Sequence, residues 1–135
     1  MERSEEMIGS NAFNYINVLG KAANASWKRN EVISNNIANV DTPGYKRSDV
    51  QFESYLQEAL TGDGSLDQKV ANTKLNSIDA TVYTDNSSLS YRLDGNNVDI
   101  DTESAYMAEN QIRYYALLDS MTQEFNRIKT VLAAK

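Results

Sequence analysis

The chain of 135 residues contains no cysteine and no histidine, which limits the chemistry that it can perform. Without cysteine there are no disulfides, no thiol nucleophile and no thiolate metal ligands. Without histidine the commonest general base and metal ligand is missing. Catalysis would have to rest on carboxylates, lysine or tyrosine alone. The sequence therefore predicts a protein that is not an enzyme and has no catalytic residue, metal site or cofactor.

Proline is nearly absent as well, because Pro43 is the only one. It fixes its own φ and pushes Thr42 out of the α region, whereas Gly44 can adopt a positive φ. The run Thr42-Pro43-Gly44-Tyr45 therefore predicts a type II turn at which a preceding helix must end.

Long apolar runs are missing, and the first residues are acidic where a secretory signal needs a basic segment followed by an apolar one. We expect no cleaved signal peptide and no membrane span. The net charge is −6 and the pI is near 4.6, with +3 over residues 10–47 and −6 over residues 48–100. Because the basic residues are few and scattered, the sequence predicts no nucleic-acid partner, and nothing in it indicates a small-molecule substrate.

Helical periodicity organises both ends of the chain. From about Ala12 to Val40, apolar and small residues recur at three- and four-residue spacing, which predicts a long helix with a heptad seam. This seam comprises Ile16, Leu19, Ala23, Ile33, Ile37 and Val40, with Ala12, Ser26 and Asn30 at the remaining positions. A second helix is predicted from Thr102 to about Ala133, with Asp101 as its N-cap. Its seam comprises Met107, Tyr114, Leu118, Met121, Phe125, Ile128 and Leu132, together with Gln111, and is reinforced by Leu117 and Val131.

The segment between the helices is less regular. Ser48-Asp49-Val50-Gln51 has the form of a capping box and predicts a short helix from Asp49 to Leu60. Alternating apolar residues in 78–82, 89–93 and 98–100 favour short strands, and the turn signal at 94–97 predicts a hairpin between the last two. Residues 73–88 are equally compatible with an irregular loop.

The architecture predicted is mainly α, with two long terminal helices paired antiparallel in coiled-coil fashion. A short helix and a small β-hairpin or loop segment lie between them. Residues 1–47 and 101–135 together form a discontinuous helical domain, and residues 48–100 form the middle segment. Two helices cannot bury two full seams against each other, so apolar surface is left for other copies or for a partner.

The acidic run from Asp94 to Glu103 has a composition compatible with a calcium loop or a catalytic site. Its glycine comes second, whereas the EF-hand loop needs glycine sixth and glutamate twelfth. Asp99 and Asp101 could form a carboxylate pair, but no base accompanies them. A hairpin turn followed by a helix cap explains the same residues.

The run Asn-Asn-Ile-Ala-Asn-Val-Asp-Thr-Pro-Gly-Tyr-Lys-Arg from Asn35 to Arg47 resembles the signature of the bacterial flagellar rod and hook proteins, with Ser34 replacing the usual alanine before it. The short length and the later run from Leu93 to Glu103 resemble the proximal rod members of that family more than its longer members. The resemblance implies rod-signature or interaction positions at Asn35, Asn36, Asn39, Asp41, Thr42, Pro43, Gly44, Tyr45, Lys46 and Arg47.

The same resemblance implies a structural axial subunit of the proximal rod, the drive shaft that carries torque from the membrane ring to the distal rod and hook. It implies no cofactor and export without a cleaved signal peptide to the basal-body rod that spans the periplasm. The implied partners are other copies, other rod proteins, the membrane-ring adaptor and the flagellar type III export apparatus. The residues alone leave open a soluble helical adaptor or export chaperone acting at low stoichiometry. We also expect Lys46 and Arg47 to meet the acidic middle of an adjacent subunit rather than their own chain.

Overall fold

Two long helices, one near each end of the chain, dominate the computed structural model, which describes residues 2–86 and 92–133. In chain order the elements are α1 (Glu2–Ala38), β1 (Ser48–Gln51), α2 (Glu53–Leu60), α3 (Leu66–Asn72), a 3-10 helix (Leu75–Ile78), β2 (Thr81–Thr84) and α4 (Ile100–Ala133). The mainly helical fold and both long helices confirm the sequence prediction. Within the described residues, no helix combines the length and the apolar character that a bilayer crossing needs.

The two long helices pack against each other in antiparallel orientation, as predicted. Asn110 of α4 donates a hydrogen bond to the carbonyl of Ser26, 2.8 Å away, and Asn36 near the end of α1 reaches Glu103 near the start of α4. All members of the α1 seam are buried or half-buried, with Ala12, Ala23, Ser26 and Ile33 fully buried. Three of these four are small, which lets neighbouring elements approach α1 closely.

The α4 seam is divided between two environments. Its members Met107, Tyr114, Met121 and Ile128 are half-buried, together with Leu117 and Val131, whereas Leu118, Phe125 and Leu132 are 39%, 49% and 60% exposed. The seam is therefore wider than the surface that α1 covers. The exposed members recur every seven residues, so they form one flank of the helix.

A small core forms on another face of α1, beneath the middle segment. Val18 and Ala25 of α1 cluster there with Phe52, Val70 and Ile78. Side chains of α2, including Tyr55 and Leu56, pack around this cluster. α1 is thus covered on one face by α4 and on another by the middle segment.

The predicted helix start at Asp49 is wrong, because residues 48–51 form strand β1 and α2 begins at Glu53. β1 pairs antiparallel with β2, with Val50 opposite Val82. Side chains of α1 also bind β1: Asn36 accepts from the Ser48 amide at 2.9 Å and donates to its carbonyl at 2.8 Å. Arg29 Nη2 donates to the Val50 carbonyl at 3.0 Å. These distant partners hold the residues extended and override the local capping signal.

The predicted hairpin between residues 89–93 and 98–100 is also wrong for the part that can be tested. Residues 92–99 contain no strand, and Ile100 is the first residue of α4. Leu89 and Tyr91 lie outside the described residues. The N-cap of α4 is Asp99 rather than Asp101, since Asp99 Oδ1 accepts from the amides of Asp101 and Thr102 at 3.0 and 3.4 Å.

Candidate functional site

The run that resembles the rod signature folds into the predicted type II turn. The Tyr45 amide donates to the Thr42 carbonyl at 3.2 Å, and Gly44 has a φ of 73°. Before the turn, Thr42 Oγ1 donates to Asn39 Oδ1 at 3.0 Å, and Asn39 Nδ2 donates to the Asn35 carbonyl at 2.8 Å. These short-range bonds close the C-terminal end of α1.

This turn docks onto a second turn at residues 92–95, and we call the contact between residues 36–49 and residues 92–103 the signature joint. The Gly44 amide donates to the Asp94 carbonyl at 2.7 Å, and Lys46 Nζ donates to the Gly95 carbonyl. Gly95 has a φ of 79° and lies against Gly44, to which a Cβ on Gly95 would approach within 3.8 Å. A Cβ at either position would meet no clash, so glycine is favoured at both by the positive φ of its turn.

Asn96 is the most connected residue of the second turn, although the sequence indicated only a turn former there. It is fully buried, and its Nδ2 lies 2.8 Å from the Asn39 carbonyl, 3.1 Å from that of Val40 and 2.9 Å from that of Thr42. Its Oδ1 accepts from the Val98 amide at 2.7 Å. A single amide group therefore contacts three of the carbonyls at the end of α1, which also accept from the amides of Thr42 and Tyr45 and from Arg92.

Arg47 is buried inside the joint. Its Nε donates to Glu103 Oε1 at 2.5 Å, and its Nη1 donates to Asp85 Oδ2 at 2.6 Å. The guanidinium carbon also lies 5.4 Å from the centre of the Tyr106 ring. Burial alone would lower the pKa of Arg47, but the hydrogen bonds to Glu103 and Asp85 and the charges of Glu103 and Asp49 outweigh burial and raise it.

The expectation that Lys46 and Arg47 meet an adjacent subunit is therefore wrong. Both side chains bind groups of their own chain, namely the Gly95 carbonyl and the carboxylates of Glu103 and Asp85. The acidic middle segment does attract the basic end of the signature, but within one molecule. A charged side chain that is desolvated needs counter-charges at fixed positions, and Glu103 and Asp85 supply them to Arg47.

Asn36 and Glu103 form the centre of the joint, and both are almost completely buried. Asn36 Nδ2 donates to Glu103 Oε2 at 3.1 Å, and the hydroxyl of Tyr45 donates to Asn36 Oδ1 at 3.3 Å. With the two bonds to Ser48, one asparagine links α1, β1, the turn and α4. The bond to Glu103 fastens the end of the first long helix to the beginning of the last.

A second ion network lies beside the joint. Glu53 Oε1 accepts from Arg29 at 2.7 Å and from Arg113 at 3.0 Å, which links α2 to both long helices. Burial would raise the pKa of Glu53, but the hydrogen bond from Arg29 and the charges of Arg29 and Arg113 lower it overall. A cavity of about 330 Å³ lies between this network and Arg47, and Tyr83 and Tyr106 also line it.

The signature residues divide into an inner and an outer set. Asn36 and Arg47 are buried, Asn39, Tyr45 and Lys46 are half-buried, and Asn35, Asp41, Thr42, Pro43 and Gly44 are exposed. The inner set uses its donors and acceptors within the chain, so it fixes the geometry between the helices. No group of three or more acidic side chains suited to a metal ion occurs in the described ranges.

Comparison with known proteins agrees with the signature. A family model for flagella basal body rod proteins matches residues 16–46, which cover most of α1 and the turn. The flagellar basal body rod protein FlgB of Bacillus subtilis is 37% identical over 105 residues, covering 77% of this chain and 81% of the relative. FlgB of Borrelia hermsii is 34% identical, covering 94% and 96%, and FlgB of Escherichia coli is 34% identical, covering 83% and 88%.

These relatives are matched over most of their own length, so the likeness extends well beyond the signature. The chain belongs to the FlgB family of flagellar basal body rod proteins and is a structural, non-enzymatic component of that rod.

Proposed function

We propose that this chain is an axial subunit of the proximal rod, where it assembles with copies of itself and with other rod proteins into the helical shaft. In this role it carries torque from the membrane ring and its adaptor toward the distal rod and hook. Residues 1–47 and 101–135 act as the inner helical domain, and residues 48–100 act as the outer segment. The flagellar type III export apparatus delivers the chain to the rod in this proposal.

The observation that carries this proposal is an uncovered apolar side of the helix pair. Leu118, Phe125 and Leu132 recur at seven-residue spacing with Gln111 on one flank of α4. Gln111 lines a common recess with Trp27, so this flank of α4 and the Trp27 side of α1 face the same direction. We call this surface the open side of the helix pair.

The open side also carries Phe13, which lies two heptads before Trp27 and is 55% exposed. Fully burying one large apolar side chain contributes about 1.5 to 3 kcal/mol, so several half-exposed ones favour association with another helix. Exposed apolar surface of this extent is typical of an interaction site in a soluble protein. A neighbouring axial subunit offers the matching long helices.

The exposed rim of the signature supports a second contact. Asn35 is exposed in the last turn of α1, and Asp41, Thr42 and Pro43 are exposed beyond it on the turn that the joint holds in place. Exposed polar residues on a rigidly positioned loop are well suited to recognition of a partner. We assign this rim to contacts between axial subunits, because its inner residues are already used within the chain.

Charge substitutions on the open side test the proposal. Leu118→Glu and Phe125→Glu should exclude the protein from the rod and abolish swimming in soft agar. Ala116→Glu, which places the same charge on an exposed position away from that flank, is the matched control. Incorporation is measured by immunoblotting purified basal bodies and by electron cryo-microscopy of the rod.

Circular dichroism of each purified variant verifies that its helix content is unchanged, since the substituted side chains are already partly exposed. Normal incorporation of both open-side variants would contradict the assignment of this surface. Recovery of the chain outside the rod at a fixed low stoichiometry would instead favour an adaptor.

A further inference from the structure

Two aspartates of the chain are followed directly by glycine: Asp63 in the loop between α2 and α3, and Asp94 in the second turn of the signature joint. An aspartate in this position can react with its own backbone, because glycine has no side chain to hinder the approach of its amide nitrogen to the aspartate carboxyl group. The fold places the two Asp-Gly pairs in opposite environments.

Asp63 lies in an exposed loop, and in the part of the chain that the structure describes its carboxylate has no hydrogen bond or ion pair. The Gly64 amide also lacks a hydrogen-bond partner among these residues. Gly62 and Gly64, on either side of Asp63, have φ values of 102° and 117°. Because glycine rotates more freely than other residues and the Asp63 carboxylate binds nothing, closing a ring at this pair breaks no hydrogen bond of the fold.

Asp94, in contrast, is held by several partners in the signature joint. Its Oδ1 accepts from the Asn96 amide and its Oδ2 from Arg92 Nη2, both at 3.0 Å. The Gly95 amide, which would be the attacking group, donates to the Arg92 carbonyl at 3.1 Å, and the Asp94 carbonyl accepts from the Gly44 amide at 2.7 Å. The Asp94 carboxyl group can therefore turn toward the Gly95 nitrogen only after this turn has opened locally, which requires free energy.

We propose that Asp63 is a site of spontaneous isoaspartate formation and that the signature joint protects Asp94 from the same reaction. The Gly64 nitrogen forms a bond to Cγ of Asp63 and loses its proton, and one carboxyl oxygen leaves as water, which produces a five-membered succinimide. Water then breaks the bond between this nitrogen and the former backbone carbonyl carbon of Asp63. The peptide link now runs through Cγ and the α-carboxylate is free. One water is released and one is consumed, so no other reagent is needed.

The product differs from the original chain in connectivity alone. Its mass is unchanged, but the main chain is longer by one carbon at residue 63. This extra carbon falls in an exposed loop outside the signature joint, so the joint should form normally. The free α-carboxylate of an isoaspartyl residue is the group that protein isoaspartyl methyltransferases methylate, so the modified chain belongs to the class of substrates of that repair enzyme.

The reaction is followed in the purified full-length protein, incubated for weeks at neutral pH. Trypsin cleaves after lysine and arginine, so Asp63 is recovered in residues 48–69 and Asp94 in residues 93–113. Electron-transfer dissociation distinguishes isoaspartate from aspartate in each peptide, and methylation by an isoaspartyl methyltransferase measures the total. In the folded protein we expect isoaspartate to accumulate at least about tenfold faster at residue 63 than at residue 94, because Asp94 reacts only from the locally open state.

Unfolding and two variants separate the effect of the fold from that of the sequence. In concentrated guanidinium chloride the two pairs should react at rates within about threefold of each other, because the joint is then absent. Arg92→Ala, which removes the partner of Asp94 Oδ2, should raise the rate at residue 94 and leave the rate at residue 63 unchanged. Asp63→Glu, whose longer side chain cannot form the five-membered ring, should remove the product from residues 48–69.

Equal accumulation at the two residues of the folded protein would overturn the proposal, as would the absence of isoaspartate from residue 63. A ratio that persists unchanged in guanidinium chloride would also overturn it, because the sequence and not the joint would then set the two rates. None of these measurements requires incorporation into the rod, so the result is independent of the proposed function.

Discussion

Asn36 and Asn35 are adjacent, have the same side chain and both belong to the signature, yet Asn36 is buried in the joint and Asn35 is exposed. Replacing each with alanine therefore separates a structural role from a surface role. Asn36→Ala leaves the Ser48 amide, the Ser48 carbonyl and one oxygen of Glu103 without their partner. Asn35→Ala removes only an exposed side chain.

The expected magnitude follows from these contacts. A buried polar group left without a partner costs about 1 to 3 kcal/mol. The higher helix propensity of alanine offsets up to about 0.7 kcal/mol of this loss of stability. Water that reaches half-buried Ser48 reduces the loss further. We expect the free energy of unfolding to fall by about 2 to 4 kcal/mol for Asn36→Ala, which is roughly 30- to 700-fold in the unfolding equilibrium. For Asn35→Ala we expect a change within about 0.5 kcal/mol.

Equilibrium unfolding in urea, followed by far-ultraviolet circular dichroism, measures both variants. With a slope of about 1 to 3 kcal/mol per molar urea, the midpoint for Asn36→Ala should fall by about 0.7 to 4 M. Asn36→Asp should be destabilised as well, because it places a second carboxylate beside buried Glu103. Equal midpoints for Asn35→Ala and Asn36→Ala would refute the reasoning. A motility defect in Asn35→Ala with unchanged stability would identify its exposed side chain as part of a subunit contact.

Two further predictions concern the turn and the link between α1 and α3. Gly44→Val should destabilise the turn by about 1 to 3 kcal/mol, because valine is strained at a positive φ even where its Cβ meets no neighbour. Pro43→Ala should cost less than about 1 kcal/mol. Motility in soft agar, with immunoblots for protein level, compares the two variants, and normal swimming of Gly44→Val cells would contradict the prediction. The hydrogen bond from the Tyr15 hydroxyl to Asp67, 2.6 Å long, raises the pKa of Tyr15 to about 12 from an ordinary value of 10.0, so the unfolded state loses this proton first and stability should decline as the pH rises from about 10 to 12. The difference between the absorbance titrations of the wild type and Tyr15→Phe isolates this group, and Asp67→Asn should return its pKa toward the ordinary range; an unshifted titration of Tyr15 would exclude the bond.

The parts of the fold that local sequence determines were predictable. The spacing of apolar residues predicted both long helices, and Pro43 with Gly44 predicted the turn. Helical periodicity and backbone preferences in turns act within a few neighbouring residues, so they can be recognised in the sequence. Strand β1 was not predictable in this way, because its residues also satisfy a helix-capping pattern. Asn36, which lies 12 residues earlier, is one of the distant partners that decide between the two conformations.

The candidate site was predicted in position but not in its interactions. Asn36 and Arg47 are polar residues of a signature, which suggested exposed recognition groups, yet both are buried by partners such as Glu103, 56 residues after Arg47. Asn96 was missed because a turn former and a buried amide with three carbonyl partners look the same in sequence. The burial and hydrogen-bond partners of these residues depend on which distant segments meet. The periodicity of apolar residues does not determine which segments meet.

The bond between Asn36 and Glu103 joins residues that are 67 positions apart. Closing so long a loop has an entropic cost that only the completed set of contacts can offset. A chain that emerges from one end cannot form this joint when only half of it has emerged. One half contains residues 36–49 and the other contains residues 92–103, and the joint needs both. The joint can form only when residue 103 has arrived from the N-terminal end or residue 36 from the C-terminal end, so the two long helices acquire their relative direction late.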